Sequence, residues 1–251
     1  MSTPQYGRRE GRQVKVPAML IIPTYNEHDN VLSLVSRIRK AAGDEPIFFV
    51  DDNSPDGTAD CIRSIQQHDP NIHLMVRSGK GGYGSACRDA MKKILAEDLS
   101  PYLIQSDADL SHPPELLPKM IELLQKYTVV IGSRYTPGGG SRNWDLRRKC
   151  LSFGANLYAR HPTGVPVHDM TAGFVGYQAG ILRKLDLTRI RSEGYAFLME
   201  MKFNLHRNGA TFREFPIIFT ERECGKSKFS RKIMFEGVKF PVKALKTRLW
   251  R

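Results

Sequence analysis

Two periods of apolar residues alternate along the first half of the chain. Residues 18–22 form an unbroken apolar run of strand length, and Val31, Leu32, Leu34, Val35 and Ile38 follow at helical spacing. The succession then recurs. Residues 47–50 predict a second strand, and residues 58–67 a second helix carrying Ile62 and Ile65. Residues 72–76 predict a third strand, followed by a glycine-rich turn and a helix with Ala90, Met91, Ile94 and Leu95. Residues 102–105 predict a fourth strand. Pro113 suits the first position of the next helix, whose inner face is Leu116, Leu117, Met120 and Leu124. Residues 129–131 predict a fifth strand. Repeated β-α-β units imply an α/β fold, a mostly parallel sheet with helices on both faces. Ligands in such folds bind beyond the carboxyl ends of the strands. The chemistry is therefore sought just after each strand.

The pattern changes after Thr136. Residues 136–142 read as a loop with three consecutive glycines, residues 146–158 as a helix and residues 172–177 as a strand. A helix over 196–208 and an edge strand over 211–219 follow. From Lys226 the chain is basic with interspersed apolar residues, and Pro241 is expected to break this tail into two pieces. Three parts are expected: a flexible basic arm (1–16), one α/β domain (17–225) and a basic amphipathic tail (226–251). The tail reads either as interfacial helices lying on a membrane or as an ordinary helix packed on the domain.

The 251 residues, 41% of them hydrophobic, suffice for a packed core. A formal charge of +12 points to an anionic partner: nucleic acid, an anionic membrane or a phosphorylated substrate. Cys61, Cys87, Cys150 and Cys224 lack metal-ligand spacing and read as reduced thiols. No apolar run approaches the roughly 18 residues of a membrane-spanning helix, and no apolar signal core follows Lys15. Work at a membrane would therefore be done from its surface or through a partner.

Four segments at strand ends carry candidate chemistry. Pro23-Thr24-Tyr25-Asn26-Glu27 serves equally as a turn with a helix cap. In Asp51-Asp52-Asn53-Ser54-Pro55-Asp56-Gly57-Thr58, two adjacent carboxylates are costly to bury unpaired. Asp52 could accept hydrogen bonds from a nucleotide base, although the segment is also rich in turn formers. The glycines of residues 78–85 allow close approach to phosphate or simply a tight turn before a helix. They do not form a Walker A loop, because Lys80 precedes Gly81 and Gly82. In Asp107-Ala108-Asp109 two carboxylates flank one small residue, an arrangement for a hard cation completed by substrate phosphates. Helix caps also produce Asp-x-Asp. Its place after a strand, two strands on from Asp51-Asp52, favours the metal reading.

Together these residues resemble glycosyltransferase family 2, which has the GT-A fold. Within it they resemble the polyprenyl-phosphate, or dolichol-phosphate, mannose synthases. The more specific motifs are the run from Asp107 to Glu115, Gly132-Ser133-Arg134-Tyr135, Asn143-Trp144, Arg148-Lys149, Ser152 and Gly154-Ala155-Asn156. Asp169-Met170-Thr171-Ala172-Gly173-Phe174 and the signature Arg222-x-x-Gly225-x-Ser227-Lys228 complete the set.

The resemblance implies that Pro23, Tyr25, Glu27 and Asp52 hold the donor nucleotide. It implies that Asp107 and Asp109 bind Mg²⁺ or Mn²⁺ and the donor diphosphate, with Asp109 the closer ligand. Arg134, Arg148, Ser152, Arg222 and Lys228 would meet the acceptor phosphate and the donor charges, and Asp107, Asp109 and Arg134 would carry catalysis. The implied reaction is inverting transfer of mannose from GDP-mannose to a polyprenyl phosphate. It would run on the cytoplasmic face of a membrane, by a peripheral protein with or without a small membrane-spanning partner subunit. UDP-glucose as donor, or a non-lipid acceptor, remains an alternative. A non-catalytic nucleic-acid-binding protein would explain the charge but not the acidic strand ends, and no nucleic-acid partner is expected. Two departures stand out. Ser111 occupies a position where some relatives have a metal-binding glutamine, and residues 160–163 are unusually polar.

Overall fold

The computed structural model describes residues 17–221 and 231–249, with side chains in the last helix described from residue 236. The expected arm over 1–16, Arg222, Lys228 and the rest of their signature lie outside the described residues.

The first half follows the pattern. β1 (Ala18–Thr24), α1 (His28–Ala42), β2 (Ile47–Asp51), α2 (Thr58–Gln66), β3 (Ile72–Val76), α3 (Tyr83–Ala96) and β4 (Tyr102–Gln105) alternate in order. α4 (Leu117–Leu124) and β5 (Val129–Ser133) come next. A short 3-10 turn, Pro114–Leu116, precedes α4, so Pro114 rather than Pro113 takes its first position. Pro113 remains extended, as a residue preceding proline should.

The second half adds β6 (Gly140–Arg142), α5 (Leu146–Thr163), β7 (Val175–Gln178), α6 (Ala179–Leu182), α7 (Gly194–Arg207), β8 (Phe212–Pro216), β9 (Ile218–Thr220) and α8 (Arg231–Leu249). Here the sequence expectations need three corrections. The loop over 136–142 contains β6, which pairs in parallel with β9. The single edge strand splits at Ile217, whose N–H donates to Ser133 while its carbonyl accepts from Gly140. Ile217 thus hands the chain from the large sheet to the small one. α5 also runs past Tyr158 to Thr163, with Pro162 inside its last turn. Thr163 Oγ1 bonds to Ala159 O, and Gly164 in the left-handed region closes the helix on Arg160 O.

The tail holds a fourth correction. Pro241 does not divide it: α8 is continuous across the proline. A proline ring clashes with the carbonyl four residues earlier, and that residue is Gly237, whose backbone can yield.

The seven-stranded sheet has the order β3-β2-β1-β4-β7-β5-β8. Only β7 runs antiparallel to its neighbours. One apolar cluster fills each face. α1 and α4 cover one side through Val31, Leu34, Ile38, Met120 and Leu124. α3 and α7 cover the other through Ala90, Met91, Phe197 and Met201, with Phe240 and Ala244 of α8 joining them.

Candidate active site

The chain leaves the centre of the sheet in two directions. β2 and β3 lie to one side of β1, and β4, β7, β5 and β8 to the other. A crevice opens beyond the strand ends at such a point. The segments after β1, β2, β3 and β4 converge there.

The two carboxylates after β2 have different duties. Asp51 is fully buried and accepts from Thr24 Oγ1 at 2.9 Å, Ser54 N–H at 2.8 Å and Ser54 Oγ at 2.6 Å. It closes the turn. Asp52 gathers the glycine-rich loop. Its Oδ1 accepts from Arg77 Nη1 at 2.5 Å, and its Oδ2 from the N–H groups of Gly81 and Gly82 at 3.2 and 2.9 Å. Gly82 has a φ of 101°, a conformation that requires glycine. The loop carries Lys80 back over the ring of Tyr25, with Nζ 3.9 Å from the ring centroid. Pro23 lies next to last in β1, paired with Val50, and Glu27 accepts from Asn30 Nδ2 at 2.7 Å. Tyr25 and Asp52 are thus brought together with Lys80, to which the sequence assigned no role, while Pro23 and Glu27 flank Tyr25 along the chain.

Asp107 and Asp109 follow β4. Asp107 N–H donates to Nδ1 of His112 at 3.1 Å, leaving the ring proton on Nε2, which lies 3.8 Å from Asp107 Oδ2. The imidazole is held by stacking on Phe174 and by an edge contact with Phe219. The Tyr83 hydroxyl also bonds to Asp107 and accepts from Gln105 Nε2 at 2.9 Å. Burial first, and the Asp107 charge second, push this phenol well above its usual pKa, so it remains a proton donor. His112 lay within a motif and Tyr83 within a turn, and neither drew attention as a support for Asp107.

Asp109 Oδ1 accepts from Ser111 N–H at 3.2 Å. Between them Leu110 has a φ of 61°. A branched residue in the left-handed region costs roughly 1–2 kcal/mol, strain of the kind found where a site dictates the backbone. The buried Ser111 hydroxyl has no hydrogen-bond partner among the described residues. Two carboxylates and this hydroxyl fit a hard cation. Among the described residues no group of three His, Cys, Asp or Glu side chains could hold a metal alone. Substrate oxygens and water would have to complete the shell.

A second feature lies alongside. An open cavity of about 430 Å³ is lined by Arg134, Tyr135, Trp144, Lys149 and Phe153. The acidic pair is not in its lining. Ring contacts link the two, from His112 to Phe219 at 5.8 Å and from Phe219 to Trp144 at 5.5 Å.

Arg134 is gripped by Asp169, with Nε to Oδ2 at 2.8 Å and Nη2 to Oδ1 at 2.6 Å, and by Thr171 Oγ1 at 2.7 Å. Burial opposes both charges. Their mutual attraction outweighs it, raising the arginine pKa and lowering that of Asp169. Arg148 lies 4.3 Å over the Trp144 ring and pairs with Glu221. Ser152 Oγ accepts from Tyr135 OH at 2.7 Å. Of the residues expected to meet the acceptor, Arg134 lines this cavity, while Arg148 and Ser152 stay outside its lining and touch its walls through Trp144 and Tyr135. Trp144 and Lys149, to which the sequence assigned no role, line it as well.

The family model described as Glycosyl transferase family 2 matches residues 19–186. An undecaprenyl-phosphate mannosyltransferase of Micrococcus luteus is 40% identical over 220 residues, spanning 88% of this chain and 90% of that protein. A polyprenol monophosphomannose synthase of Mycolicibacterium smegmatis is 40% identical over 231 residues, spanning 90% and 87%. Among solved structures, a glucosyl-3-phosphoglycerate synthase from Mycobacterium tuberculosis, in complex with Mn²⁺, UDP and glucosyl-3-phosphoglycerate, superposes with a TM-score of 0.64. It has 15% identity, and the match covers 97% of this chain and 86% of that one. A mannosyl-3-phosphoglycerate synthase from Rubrobacter xylanophilus superposes with a TM-score of 0.63 at 18% identity, covering 93% and 74%. These likenesses establish the GT-A-like fold expected from the sequence. With a family match across two-thirds of its length and relatives at 40% identity over most of it, the chain belongs to glycosyltransferase family 2.

Proposed function

We propose that this glycosyltransferase moves mannose from GDP-mannose onto the phosphate of a polyprenyl phosphate at the cytoplasmic face of a membrane. The observation that carries the reading is the juxtaposition of an acidic rim with a cationic, aromatic cavity, linked through His112, Phe219 and Trp144. The names of the two relatives at 40% identity support mannose and a polyprenyl acceptor.

In this reading Pro23, Tyr25, Glu27 and Asp52 bound the nucleotide site. Tyr83 bonds to the carboxylate of Asp107, and His112 accepts from the Asp107 backbone N–H, which fixes Asp107 at the strand end. A Mg²⁺ or Mn²⁺ ion held by Asp107 and Asp109 would neutralise charge on the leaving diphosphate. Arg134, Arg148 and Ser152 orient the acceptor phosphate, and arginine forks match its oxygens. Arg222 and Lys228 belong to the same proposed set. A phosphate monoester, with a second pKa of about 6, is already ionised and needs no general base. Its oxygen attacks the anomeric carbon opposite the departing nucleotide, which inverts the configuration.

The outer surface suits a lipid substrate. Leu151, Phe153 and Leu157 of α5 are exposed beside the cavity. On α8, Val238, Val242, Leu245 and Leu249 form one exposed stripe, opposite the buried Phe240 and Ala244. Among the described residues no helix is long and apolar enough to cross a membrane. Attachment is therefore proposed as peripheral.

The test is to incubate the protein with labelled GDP-mannose or UDP-glucose, a polyprenyl phosphate and Mg²⁺ or Mn²⁺. Labelled lipid from GDP-mannose is expected. Label transferred only from UDP-glucose, or only to a soluble acceptor, would overturn the reading.

A further inference from the structure

Lys202 lies in the middle of α7, is 1% exposed, and sits among the apolar residues of one face of the sheet. Its Nζ donates to the carbonyl of Met170 at 3.1 Å and to that of Ala172 at 2.9 Å. These carbonyls flank Thr171, and Asp169 precedes them. Asp169 and Thr171 are the residues that grip Arg134. The same segment is fixed elsewhere by Glu214, which accepts from the N–H groups of His168 and Asp169, and by Asn156, which accepts from Thr171 N–H.

Packing does not account for an amine here. Methionine would fill a similar volume without the desolvation cost of an ammonium group. Burial pulls the pKa of Lys202 down from 10.5 to about 7; Asp169 and Glu214 oppose the fall, and Arg134 adds to it. What an amine supplies, and methionine cannot, is a pair of N–H donors for two buried carbonyls and a second positive charge near Asp169. With Lys202 charged, two cations face two carboxylates.

We propose that Lys202 is a positioning residue for the acceptor site: by holding Met170 O and Ala172 O, it fixes the segment that aims Arg134 into the cavity. This rests on the reading of Arg134 as a cation that meets the acceptor phosphate. It concerns a residue that touches neither substrate.

The test compares full-length wild type, Lys202→Met and Lys202→Gln. The measurements are acceptor KM and kcat with a short-chain polyprenyl phosphate, GDP-mannose affinity by calorimetry, and thermal unfolding. Lys202→Met should raise the acceptor KM by about tenfold, the scale of one lost charged contact, and leave GDP-mannose affinity within about twofold. Lys202→Gln, which keeps a donor, should recover part of the loss. An acceptor KM within about twofold of wild type in a folded Lys202→Met protein would overturn the inference. So would an equal loss of donor affinity. If Lys202→Met does not fold, the glutamine variant carries the same measurements; failure of both to fold marks a purely structural lysine and also overturns it. Absence of lipid product from wild type would sink the functional reading and this inference together, whereas an active wild type with an indifferent variant sinks only the inference.

Discussion

Both oxygens of Asp169 are engaged by Arg134, at 2.8 and 2.6 Å, with the carboxylate fully buried and the guanidinium side chain only 9% exposed. Removing one partner leaves an uncompensated charge in the interior, a loss of about 3–5 kcal/mol, whereas removing both is far cheaper. Asp169→Leu and Arg134→Met should each destabilise the protein by roughly that amount, and the double variant should recover most of it. Activity should not return in the double variant, because the site still lacks its cation. Urea denaturation and turnover on the same samples check this. Strictly additive stability losses would show that the pair is not coupled.

Metal dependence is predicted from the two carboxylates after β4, and among the described residues no group of three His, Cys, Asp or Glu side chains could hold the ion alone. Mn²⁺ should bind weakly to the protein alone and more tightly with GDP present, because diphosphate oxygens complete its shell. Asp109→Asn should abolish that enhancement and lower turnover by at least about a hundredfold. Titration followed by electron paramagnetic resonance reads the binding directly. Full turnover in excess EDTA would remove the metal from the mechanism.

Much of the fold was legible because its first half repeats one simple alternation of period. Strands buried on both faces are continuous apolar runs, and residues 18–22 and 47–50 read as such. The second half was harder. β6 and β9 are three residues each, too short for any period to register, and they exist because Ile217 bonds to both sheets. Pro162 and Pro241 look like helix ends in sequence, yet tertiary packing carries α5 and α8 through them.

In the site, motif position pointed to the acidic strand ends, and the family resemblance pointed to Arg134 and Arg148. They did not foretell the supports. That Asp51 closes a turn while Asp52 gathers Gly81 and Gly82 depends on which oxygen meets which N–H group. Lys202 was invisible because a lysine in a helix is ordinarily solvated, and only the fold buries it.

The depressed pKa of Lys202 predicts a signature in stability. Burial lowers it to about 7 in the folded chain, against roughly 10.4 when unfolded. Between those values the unfolded chain holds the extra proton, so stability rises with pH, and the gain is complete above the unfolded value. One such group contributes a slope of up to about 1.4 kcal/mol per pH unit. The difference in unfolding free energy between wild type and Lys202→Met should therefore grow in favour of wild type from pH 7 to pH 9. Urea denaturation at three pH values measures it, and other titrating groups cancel in the difference. A difference that does not change with pH would mean that Lys202 keeps its charge when buried.

The last prediction concerns attachment to the membrane. Deleting α8 is a poor test, because Phe240 and Ala244 are buried in the main apolar cluster and Phe240 meets Phe203 edge-on at 6.0 Å. Truncation would open the core along with any anchor. The outward stripe can be changed separately. Val238, Val242, Leu245 and Leu249 stand at helical spacing, each at least 37% exposed, with Lys239, Lys243, Lys246 and Arg248 around them. An apolar stripe flanked by cations suits the headgroup boundary of an anionic bilayer, where each Lys or Arg contributes about 1 kcal/mol. Replacing the four apolar residues together by serine or glutamine should reduce sedimentation with anionic vesicles by at least about tenfold, given roughly 0.8 kcal/mol per buried methylene. Thermal stability should change little. Binding by wild type should weaken between low and high salt, as screened charges require. Turnover of a short, water-soluble polyprenyl phosphate should survive the substitutions, while turnover of a long-chain acceptor in vesicles should fall. Unchanged sedimentation of the substituted protein would show that α8 is not the anchor, and vesicle binding only alongside a membrane-spanning partner subunit would move the anchor to that partner.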